Sequence, residues 1–323
     1  MNKYKVVITG KILPSALAAI EEQCEVHQWQ KPTPPRVEEL AKWLEDAEGL
    51  FVTGNIAVNE TLLAAAPKVR VIAQSSVGYD NIDIKACTSR KIPFGNTPGV
   101  LVEATADLAF GLLLTAARRI HEGWDWVRAG KWQEEQLPLG VDLYNKTVGI
   151  VGMGAIGSAV ARRAQASGMK VIYNNRHPRP DQEQLKAEYR TFSELLTAAD
   201  FIVVLTPLTP ESRGMFGAKE FAQMKPTAYF INAARGGVVD TQALYKALSD
   251  KQIAYAALDV TDPEPLPADH PLLKLPNILV VPHIGSATTE TRNQMALLAA
   301  ENLLLGLAGK PLVTCVNSEV NYR

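Results

Sequence analysis

Residues 147–157 read Thr-Val-Gly-Ile-Val-Gly-Met-Gly-Ala-Ile-Gly, a short apolar run that ends in three spaced glycines. Gly152, Gly154 and Gly157 have the spacing G-x-G-x-x-G. Such glycines let a chain turn sharply from a strand into a helix, bring a pyrophosphate close to the backbone, and pack the helix against the strand. We therefore predict a dinucleotide-binding βαβ unit whose helix N-terminus faces the phosphates. An ordinary tight turn is the alternative interpretation.

Composition limits the class of protein and its partners. With 323 residues the chain can form two domains with separate cores. Lys and Arg number 33 against 34 Asp and Glu, and no long block carries one sign, so we expect a small-molecule partner and no nucleic acid or membrane surface. The most apolar helical stretch, residues 101–117, contains two acidic residues, which also disfavours a membrane span.

The cysteines point to a reducing compartment. Cys24, Cys87 and Cys315 are an odd number, lie far apart and lack C-x-x-C spacing. Neither a disulfide framework nor a metal site is expected from them. The N-terminus has no long apolar region followed by a small-residue cleavage site. We therefore expect a cytoplasmic protein.

Short apolar runs alternate with helix patterns along the first hundred residues. Strands are predicted at residues 6–9, 49–53 and 69–75, and helices at residues 15–22 and 59–66. This alternation is typical of a parallel sheet covered on both faces. Residues 76–80 follow the third strand, at the kind of strand end where open sheets bind ligands, although a plain connecting turn is also possible.

A second series of α/β units begins at Thr147, and its strands end in polar residues. These polar residues are Asn174, Asn175 and Arg176, then Thr206 with Pro207, then Arg235, then Asp259 with Glu264, and finally His283. Because parallel strands of a doubly wound sheet end at one edge, we expect these residues to converge there.

A long helix over residues 101–119 precedes a stretch with three tryptophans. Residues 121–145 mix Trp124, Trp126 and Trp132 with charges and a Leu-Pro-Leu-Gly turn. This pattern suits an arm that packs on another surface, such as a second subunit. Half-burial of the tryptophans in their own domain is equally compatible with it.

The end of the βαβ unit favours one cofactor. A unit that prefers the unphosphorylated cofactor has Asp or Glu about twenty residues beyond the first glycine, whereas this chain has Asn174. An acid there would repel a 2′-phosphate, while Asn175, Arg176 and Arg179 add donors and positive charge. We predict NADPH as the preferred cofactor, with NADH possible. A solvated loop is the alternative interpretation of the arginines.

A nicotinamide cofactor implies hydride transfer, which leaves the protein to orient the substrate and to move a proton. His283 is the histidine that follows a predicted strand at the shared edge, and imidazole exchanges a proton near neutral pH. Glu264 is the candidate for a carboxylate that orients the ring, and Asp262 is its rival. Arg235, followed by two glycines, matches the geometry of a substrate carboxylate.

Four stretches resemble, in order and spacing, the D-isomer-specific 2-hydroxyacid dehydrogenases. They are the glycine motif, the Asn-Ala-Ala-Arg-Gly-Gly run of residues 232–237, Leu-Asp-Val at residues 258–260 with Glu264, and Pro-His-Ile-Gly at residues 282–285. The resemblance covers almost the whole chain, and within the family it is strongest to glyoxylate/hydroxypyruvate reductases and 2-ketogluconate reductases, which commonly prefer NADPH. It implies that Arg235 binds the substrate, that Glu264 pairs with the histidine, and that His283 is the acid/base.

The resemblance also implies further site residues. Backbone amides at Val77 and Gly78 would hold the substrate carboxylate together with Arg235 and His283, and Asp259 would contact the nicotinamide end. The cofactor-binding residues that we expect are Thr105, Gly152, Gly154, Ala155, Ile156, Gly157, Asn174, Asn175, Arg176, Thr206, Pro207, Ala233, Ala234, Asp259 and Gly285. No metal is expected.

The fold that the resemblance implies is two Rossmann-like/flavodoxin-like doubly wound parallel-sheet domains with a cleft between them that closes on substrate. Residues 1–100 plus 288–323 would form a discontinuous substrate domain, and residues 101–287 the NAD(P)-binding domain. Family members usually form homodimers through the nucleotide-binding domain. Some glyoxylate reductases place a partner-subunit Trp over the substrate where this chain has Leu137, which leaves the substrate size open.

The expected function is therefore NAD(P)H-dependent reduction of glyoxylate, hydroxypyruvate or 2-ketogluconate to the D-2-hydroxy acid. A D-3-phosphoglycerate dehydrogenase-like enzyme is one alternative, although no additional basic residue near Gly78 suggests a phosphate pocket. A non-enzymatic, cofactor-sensing protein similar to the family's corepressors is another. The L-specific lactate and malate dehydrogenases carry their glycine motif near the N-terminus, so the position of Gly152 argues against them.

Overall fold

The computed structural model describes residues 3–320, which fall into two compact units. One unit is Met1–Leu101 with Thr288–Arg323, and the other is Val102–Ala287. The first boundary predicted from the sequence, between residues 100 and 101, lies one residue before that of the structure, and the second, between residues 287 and 288, is the same. Residues 1–2 and 321–323 of the first predicted domain lie outside the described part. Each unit is built on one parallel sheet, which confirms the predicted fold class.

The first unit contains a five-stranded parallel sheet. Its strands are β1 (Tyr4–Ile8), β2 (Cys24–Gln28), β3 (Gly49–Val52), β4 (Val71–Gln74) and β5 (Phe94–Gly95). Their order is β2-β1-β3-β4-β5, the flavodoxin-like order of a doubly wound sheet. The sequence pattern predicts β1, β3 and β4 but not β2 and β5, which form the two edges of the sheet.

The described part of this unit has five helices. They are α1 (Pro14–Glu21), α2 (Val37–Leu44), α3 (Glu60–Ala64), α4 (Ile84–Ser89) and α11 (Thr289–Leu307). Helix α11 returns the end of the chain to the first sheet, and its Gly306 lies so close to Val71 of β4 that any Cβ would collide with that side chain. Buried apolar clusters fill both faces of the sheet, as a sheet with helices on both sides requires.

The second unit contains a seven-stranded parallel sheet. Its strands are β6 (Thr147–Val151), β7 (Lys170–Asn174), β8 (Glu188–Tyr189), β9 (Phe201–Val204), β10 (Tyr229–Asn232), β11 (Tyr255–Leu258) and β12 (Ile278–Val280). Their order is β12-β11-β10-β9-β6-β7-β8. Counted within the unit, the first six strands have the Rossmann order 3-2-1-4-5-6. The short edge strand β8 has no counterpart in the sequence prediction.

The helices of this unit are α5 (Val102–Arg118), α6 (Ile120–Arg128), α7 (Ala155–Ala166), α8 (Phe192–Ala198), α9 (Ala218–Gln223) and α10 (Thr241–Ser249). Every residue of β9, β10 and β11 is buried, because these central strands are covered by helices on both faces. Polar groups appear where the strands end, which places them along one edge of the sheet. No helix among residues 3–320 is long and apolar enough to cross a bilayer.

Candidate active site

The glycine loop joins β6 to α7, and its three glycines have different surroundings. Gly152 has a φ of +100°, and a Cβ there would lie 2.7 Å from the backbone nitrogen of Thr206. A Cβ on Gly157 would collide with the carbonyl oxygen of Gly152. Gly154 has an ordinary φ of −87°, and a Cβ there would meet nothing within 4 Å. The fold thus requires the first and third glycines, whereas the second borders open space where a phosphate can approach.

Helix α7 begins directly after this open space. Gly154 is its N-cap, so no capping side chain occupies the first amides of the helix, to which Ala155 and Ile156 belong. The loop is held by the Met153 N–H, which donates to Oδ1 of Asn175 at 2.7 Å. Free amides at a helix N-terminus attract anions, and the residues present therefore fit a dinucleotide pyrophosphate.

The residues that follow β7 have distinct contacts. Nδ2 of Asn174 donates to the carbonyl oxygen of Arg190 at 2.8 Å, so its amide is engaged in joining β7 to the chain after β8. Asn175 faces the glycine loop through Met153. The Arg176 side chain is exposed, and no hydrogen bond or ion pair joins it to another residue in the described part of the chain. Of these three residues, Arg176 has the guanidinium that is available to a phosphate.

Arg179 takes part in the glycine loop itself. Its guanidinium forms two hydrogen bonds with the carboxylate of Asp181, at 2.7 and 2.6 Å. Nη1 also donates to the carbonyl oxygen of Met153 at 2.9 Å. The hydrogen bonds with Asp181 raise the pKa of Arg179, although partial burial opposes them. Arg179 therefore braces the loop, a role that the sequence pattern does not distinguish from phosphate binding.

The histidine and the carboxylate chosen from the sequence lie together. Nδ1 of His283 is 2.6 Å from Oε1 of Glu264, and their side chains are 42% and 36% exposed. Burial alone would raise the pKa of Glu264, but the hydrogen bond and charge of His283 lower it overall. Because Glu264 occupies Nδ1, the other ring nitrogen, Nε2, is left for a substrate. The rival Asp262 has no such contact with the ring among the described residues.

Asp259 supports the segment that carries His283. One carboxylate oxygen accepts from the Ile284 N–H at 2.6 Å and the other from the Gly285 N–H at 2.9 Å. The carbonyl oxygen of Asp259 accepts from the His283 N–H at 2.9 Å. Burial raises the pKa of Asp259, while the Ile284 hydrogen bond opposes this rise. These contacts hold His283 at a φ of +51°. The predicted contact of Asp259 with the nicotinamide stays a prediction.

Arg235 follows β10, beside the loop that carries Glu264. A Cβ on Gly236 would collide with the carbonyl of Thr261, so the two loops are in direct backbone contact. Nη1 of Arg235 donates to the carbonyl oxygen of Ala234 at 2.9 Å, and the charge of Arg235 contributes to lowering the pKa of Glu264. Arginine, glutamate and histidine are therefore brought to one edge of the second sheet.

Other expected cofactor residues lie along the same edge. A Cβ on Gly285 would lie 3.4 Å from Cγ2 of Thr105, which places the start of α5 against the histidine segment. Thr206 follows β9 next to the glycine loop, and the carbonyl of Pro207 accepts from Ser212 at 2.7 Å. Ala233 and Ala234 follow β10, where the Ala234 N–H donates to Oδ1 of Asn232 at 3.0 Å.

Val77 and Gly78 belong to the first unit, in the loop after β4. The carbonyl oxygen of Val77 accepts from Nδ2 of Asn96 at 2.9 Å, and that of Gly78 from Nε2 of Gln74 at 2.9 Å. Neither amide N–H of this pair donates to any residue in the range 3–320. Sequence reasoning did not identify Asn96 or Gln74, because a buried amide at a strand end has no distinctive spacing. No cluster of three metal-ligating side chains occurs in the described residues.

Comparison with known proteins gives consistent matches along the chain. The family model described as D-isomer specific 2-hydroxyacid dehydrogenase, NAD binding domain, matches residues 110–285. A glyoxylate reductase of Korarchaeum cryptofilum is 45% identical over 98% of this chain and 97% of its own length. A glyoxylate/hydroxypyruvate reductase B of Shigella boydii is 46% identical over 97% of this chain and 98% of its own.

A solved structure is similar over the full length. It is the NADPH-dependent glyoxylate/hydroxypyruvate reductase of Sinorhizobium meliloti, in complex with NADP and malonate. The TM-score is 0.90 at 33% identity, with 100% of this chain and 99% of that chain covered.

Proposed function

The chain belongs to the family of D-isomer-specific 2-hydroxyacid dehydrogenases, and from that membership we propose that it is an NADPH-preferring reductase of small 2-keto acids. Its substrates would be glyoxylate, hydroxypyruvate or 2-ketogluconate, and its products the D-2-hydroxy acids. The observation that carries the proposal is the 2.6 Å contact between His283 and Glu264 at the sheet edge that also holds the glycine loop. The names of the similar reductases support the substrate class.

His283 is the proposed proton donor. Glu264 holds Nδ1, so Nε2 carries the proton that is delivered to the carbonyl oxygen of the substrate. A bound nicotinamide supplies the hydride for the carbon of that carbonyl. In the reverse direction neutral His283 accepts the proton of the 2-hydroxyl group.

Arg235 and the amides of Val77 and Gly78 are the proposed carboxylate-binding groups. A guanidinium presents two parallel donors to a carboxylate, and the unused amides after β4 add neutral donors. Backbone contact between the Arg235 loop and the Glu264 loop supports a common role, because it fixes the spacing between the carboxylate-binding group and the acid/base.

The preference for NADPH rests on Arg176. Its exposed guanidinium makes no hydrogen bond or ion pair among the described residues, although its charge helps to lower the pKa of Glu211. It can form charge-assisted hydrogen bonds with a 2′-phosphate. Asn174 stands at the end of β7, so no acidic side chain at that position repels this phosphate. The similar Sinorhizobium meliloti enzyme is NADPH-dependent and binds NADP. NADH can still bind through the glycine loop, because the pyrophosphate that this loop would hold is common to both cofactors.

We further propose a cytoplasmic homodimer that associates through the nucleotide-binding domain. Trp124 and Trp132 of the 121–145 arm are 64% and 77% exposed, and Leu139 is 93% exposed. Exposed apolar side chains grouped on one segment are typical of an interaction surface. Three cysteines without a disulfide among the described residues suit a reducing compartment.

The test is a panel of 2-keto acids assayed with both cofactors. We expect turnover of glyoxylate and hydroxypyruvate, and a higher kcat/KM with NADPH than with NADH. His283→Asn is the matched variant, because Asn tolerates the positive φ at this position. It should lower kcat by roughly a hundred- to ten-thousand-fold with cofactor affinity unchanged. Turnover of this variant within threefold of wild type would refute the assignment of His283.

A further inference from the structure

We propose that Asn96 is a positioning residue for substrate binding, because its side chain fixes the direction of the amides of the loop after β4. The inference rests on the proposed function, in which the Val77 and Gly78 amides bind the substrate carboxylate. It adds the residue that makes these two amides available.

Two hydrogen-bonded peptide groups set the direction of these amides. The carbonyl oxygen of Ser76 accepts from the Thr97 N–H at 2.9 Å, and that of Val77 accepts from Nδ2 of Asn96 at 2.9 Å. Each carbonyl shares a planar trans peptide with the next N–H, and the two groups of such a peptide point in opposite directions. Anchoring both carbonyls to the segment after β5 therefore directs the N–H groups of Val77 and Gly78 away from it, to the other side of the loop.

These hydrogen bonds also make the amides better donors. A carbonyl that accepts a hydrogen bond polarises its own peptide group, which strengthens the bond that the N–H can donate. Both N–H groups remain without an acceptor among residues 3–320. Two adjacent polarised donors on one side of a loop are the arrangement that a carboxylate needs.

Asn96 is itself rigidly held. It is 8% exposed. Its backbone carbonyl oxygen accepts from Oγ1 of Thr314 at 2.6 Å and from Nδ2 of Asn302 at 3.2 Å. Asn302 belongs to α11 and is fully buried, and it also donates to Oγ1 of Thr314 at 2.8 Å. Because the backbone of Asn96 is fixed from this side, its side-chain amide reaches the Val77 carbonyl from a defined position.

Asn317 provides a matched control in the same unit. It is 1% exposed, and its side chain accepts from the Phe94 N–H at 2.8 Å and donates to the Ile92 carbonyl at 2.9 Å. Asn317 thus holds β5 as Asn96 holds the loop after β4, but among the described residues it forms no hydrogen bond with residues 76–78. Loss of either side chain removes a buried amide, so the two losses should lower thermal stability similarly.

The experiment compares Asn96→Leu, Asn96→Ala and Asn317→Ala in the full-length enzyme. The measurements are kcat and KM for glyoxylate and hydroxypyruvate, the inhibition constant of malonate, the affinity for NADPH, and the melting temperature. We expect both Asn96 variants to raise KM and the malonate inhibition constant by roughly tenfold, with kcat and NADPH affinity close to wild type. Asn317→Ala should lower the melting temperature without changing KM.

The outcomes separate this inference from the proposed function. If wild type reduces 2-keto acids but a folded Asn96 variant keeps its KM and malonate inhibition, the positioning role is refuted and the proposed function stands. Equal increases of KM in Asn96 and Asn317 variants would also refute it, because a general loss of stability would then explain the effect. If wild type reduces no 2-keto acid with either cofactor, both proposals fail. Asn96→Ala, which introduces no new bulk, gives the answer if Asn96→Leu does not fold.

Discussion

Oε1 of Glu264 lies 2.6 Å from Nδ1 of His283, and the hydrogen bond and charge of this histidine outweigh the burial that would raise the carboxyl's pKa. The lowered pKa means that the folded state binds the Glu264 proton more weakly than the unfolded state. The stabilisation that the carboxylate provides is therefore complete above its unfolded pKa of about 4.5. It is lost as the pH falls through the lower, folded value.

Glu264→Gln tests this linkage. We expect wild type to melt at a higher temperature than the variant at neutral pH, and the difference to shrink below about pH 4.5 as Glu264 becomes protonated. Scanning fluorimetry of both proteins from neutral to acidic pH measures it. Glu220→Gln, at a carboxylate that caps α9 through the Gly217 N–H, is a control far along the chain from His283. A difference that stays constant or grows in acid would contradict the pairing as described.

Gly154→Ala separates cofactor binding from folding. Because the Cβ would enter open space at an ordinary φ, we expect a melting temperature close to wild type, reduced only by the weaker N-cap preference of Ala. The same Cβ would crowd a pyrophosphate, so the dissociation constant for NADPH should rise roughly ten- to hundredfold. Fluorescence titration with NADPH and a melting curve measure the two effects.

Gly157→Ala is the matched control for that experiment. Its Cβ would collide with the carbonyl of Gly152 inside the protein, so this variant should lose stability whether or not cofactor is present. If Gly154→Ala binds NADPH as wild type does, the open space beside Gly154 is not where the phosphates lie, and the cofactor site inferred from the motif is wrong.

The sequence predicts the central strands of each sheet because their residues are buried on both faces and so form continuous apolar runs. Of the four edge strands, β12 is predicted from its apolar run, whereas β2, β5 and β8 do not show this pattern. Strand β2 has only one fully buried residue, Cys24, and β8 is two residues long, so neither produces a periodic signal. The expectation that polar residues at strand ends converge is derived from topology alone, and the contact of Glu264 with His283 follows from it.

Side-chain assignments within a loop are harder to predict. Asn174, Arg176 and Arg179 appear equivalent as phosphate ligands in the sequence, yet Arg179 is held by Asp181 and Asn174 by the Arg190 carbonyl. These partners lie 2 and 16 residues away, and no periodic pattern identifies them. Asn96 cannot be identified from the sequence for the same reason, because its proposed role depends on its hydrogen bond with the Val77 carbonyl.

Arg176→Gln should change cofactor choice. Removing a charge-assisted contact with the 2′-phosphate should raise KM for NADPH roughly ten- to hundredfold and leave KM for NADH nearly unchanged. Arg179→Gln should behave differently, because Arg179 braces Met153 of the glycine loop, on which both cofactors depend. We expect it to weaken NADPH and NADH to a similar extent. Steady-state kinetics with both cofactors distinguish the variants, and equal losses for Arg176→Gln would refute its role in selectivity.

Trp132 gives the sharpest test of association through the arm. Its side chain is 77% exposed. A large aromatic side chain in that setting either stays in contact with water or is buried against a partner surface. If a second copy covers it, Trp132→Glu should raise the dimer dissociation constant by at least roughly thirtyfold, the effect of losing one interface hot spot. Val313→Glu, at an apolar residue of the first unit that is 53% exposed, should leave association unchanged. Sedimentation velocity over a concentration series measures both. A monomeric wild type at micromolar concentration, or equal effects of the two variants, would rule out the arm as the dimer interface, because in either case burial of Trp132 would contribute nothing to assembly.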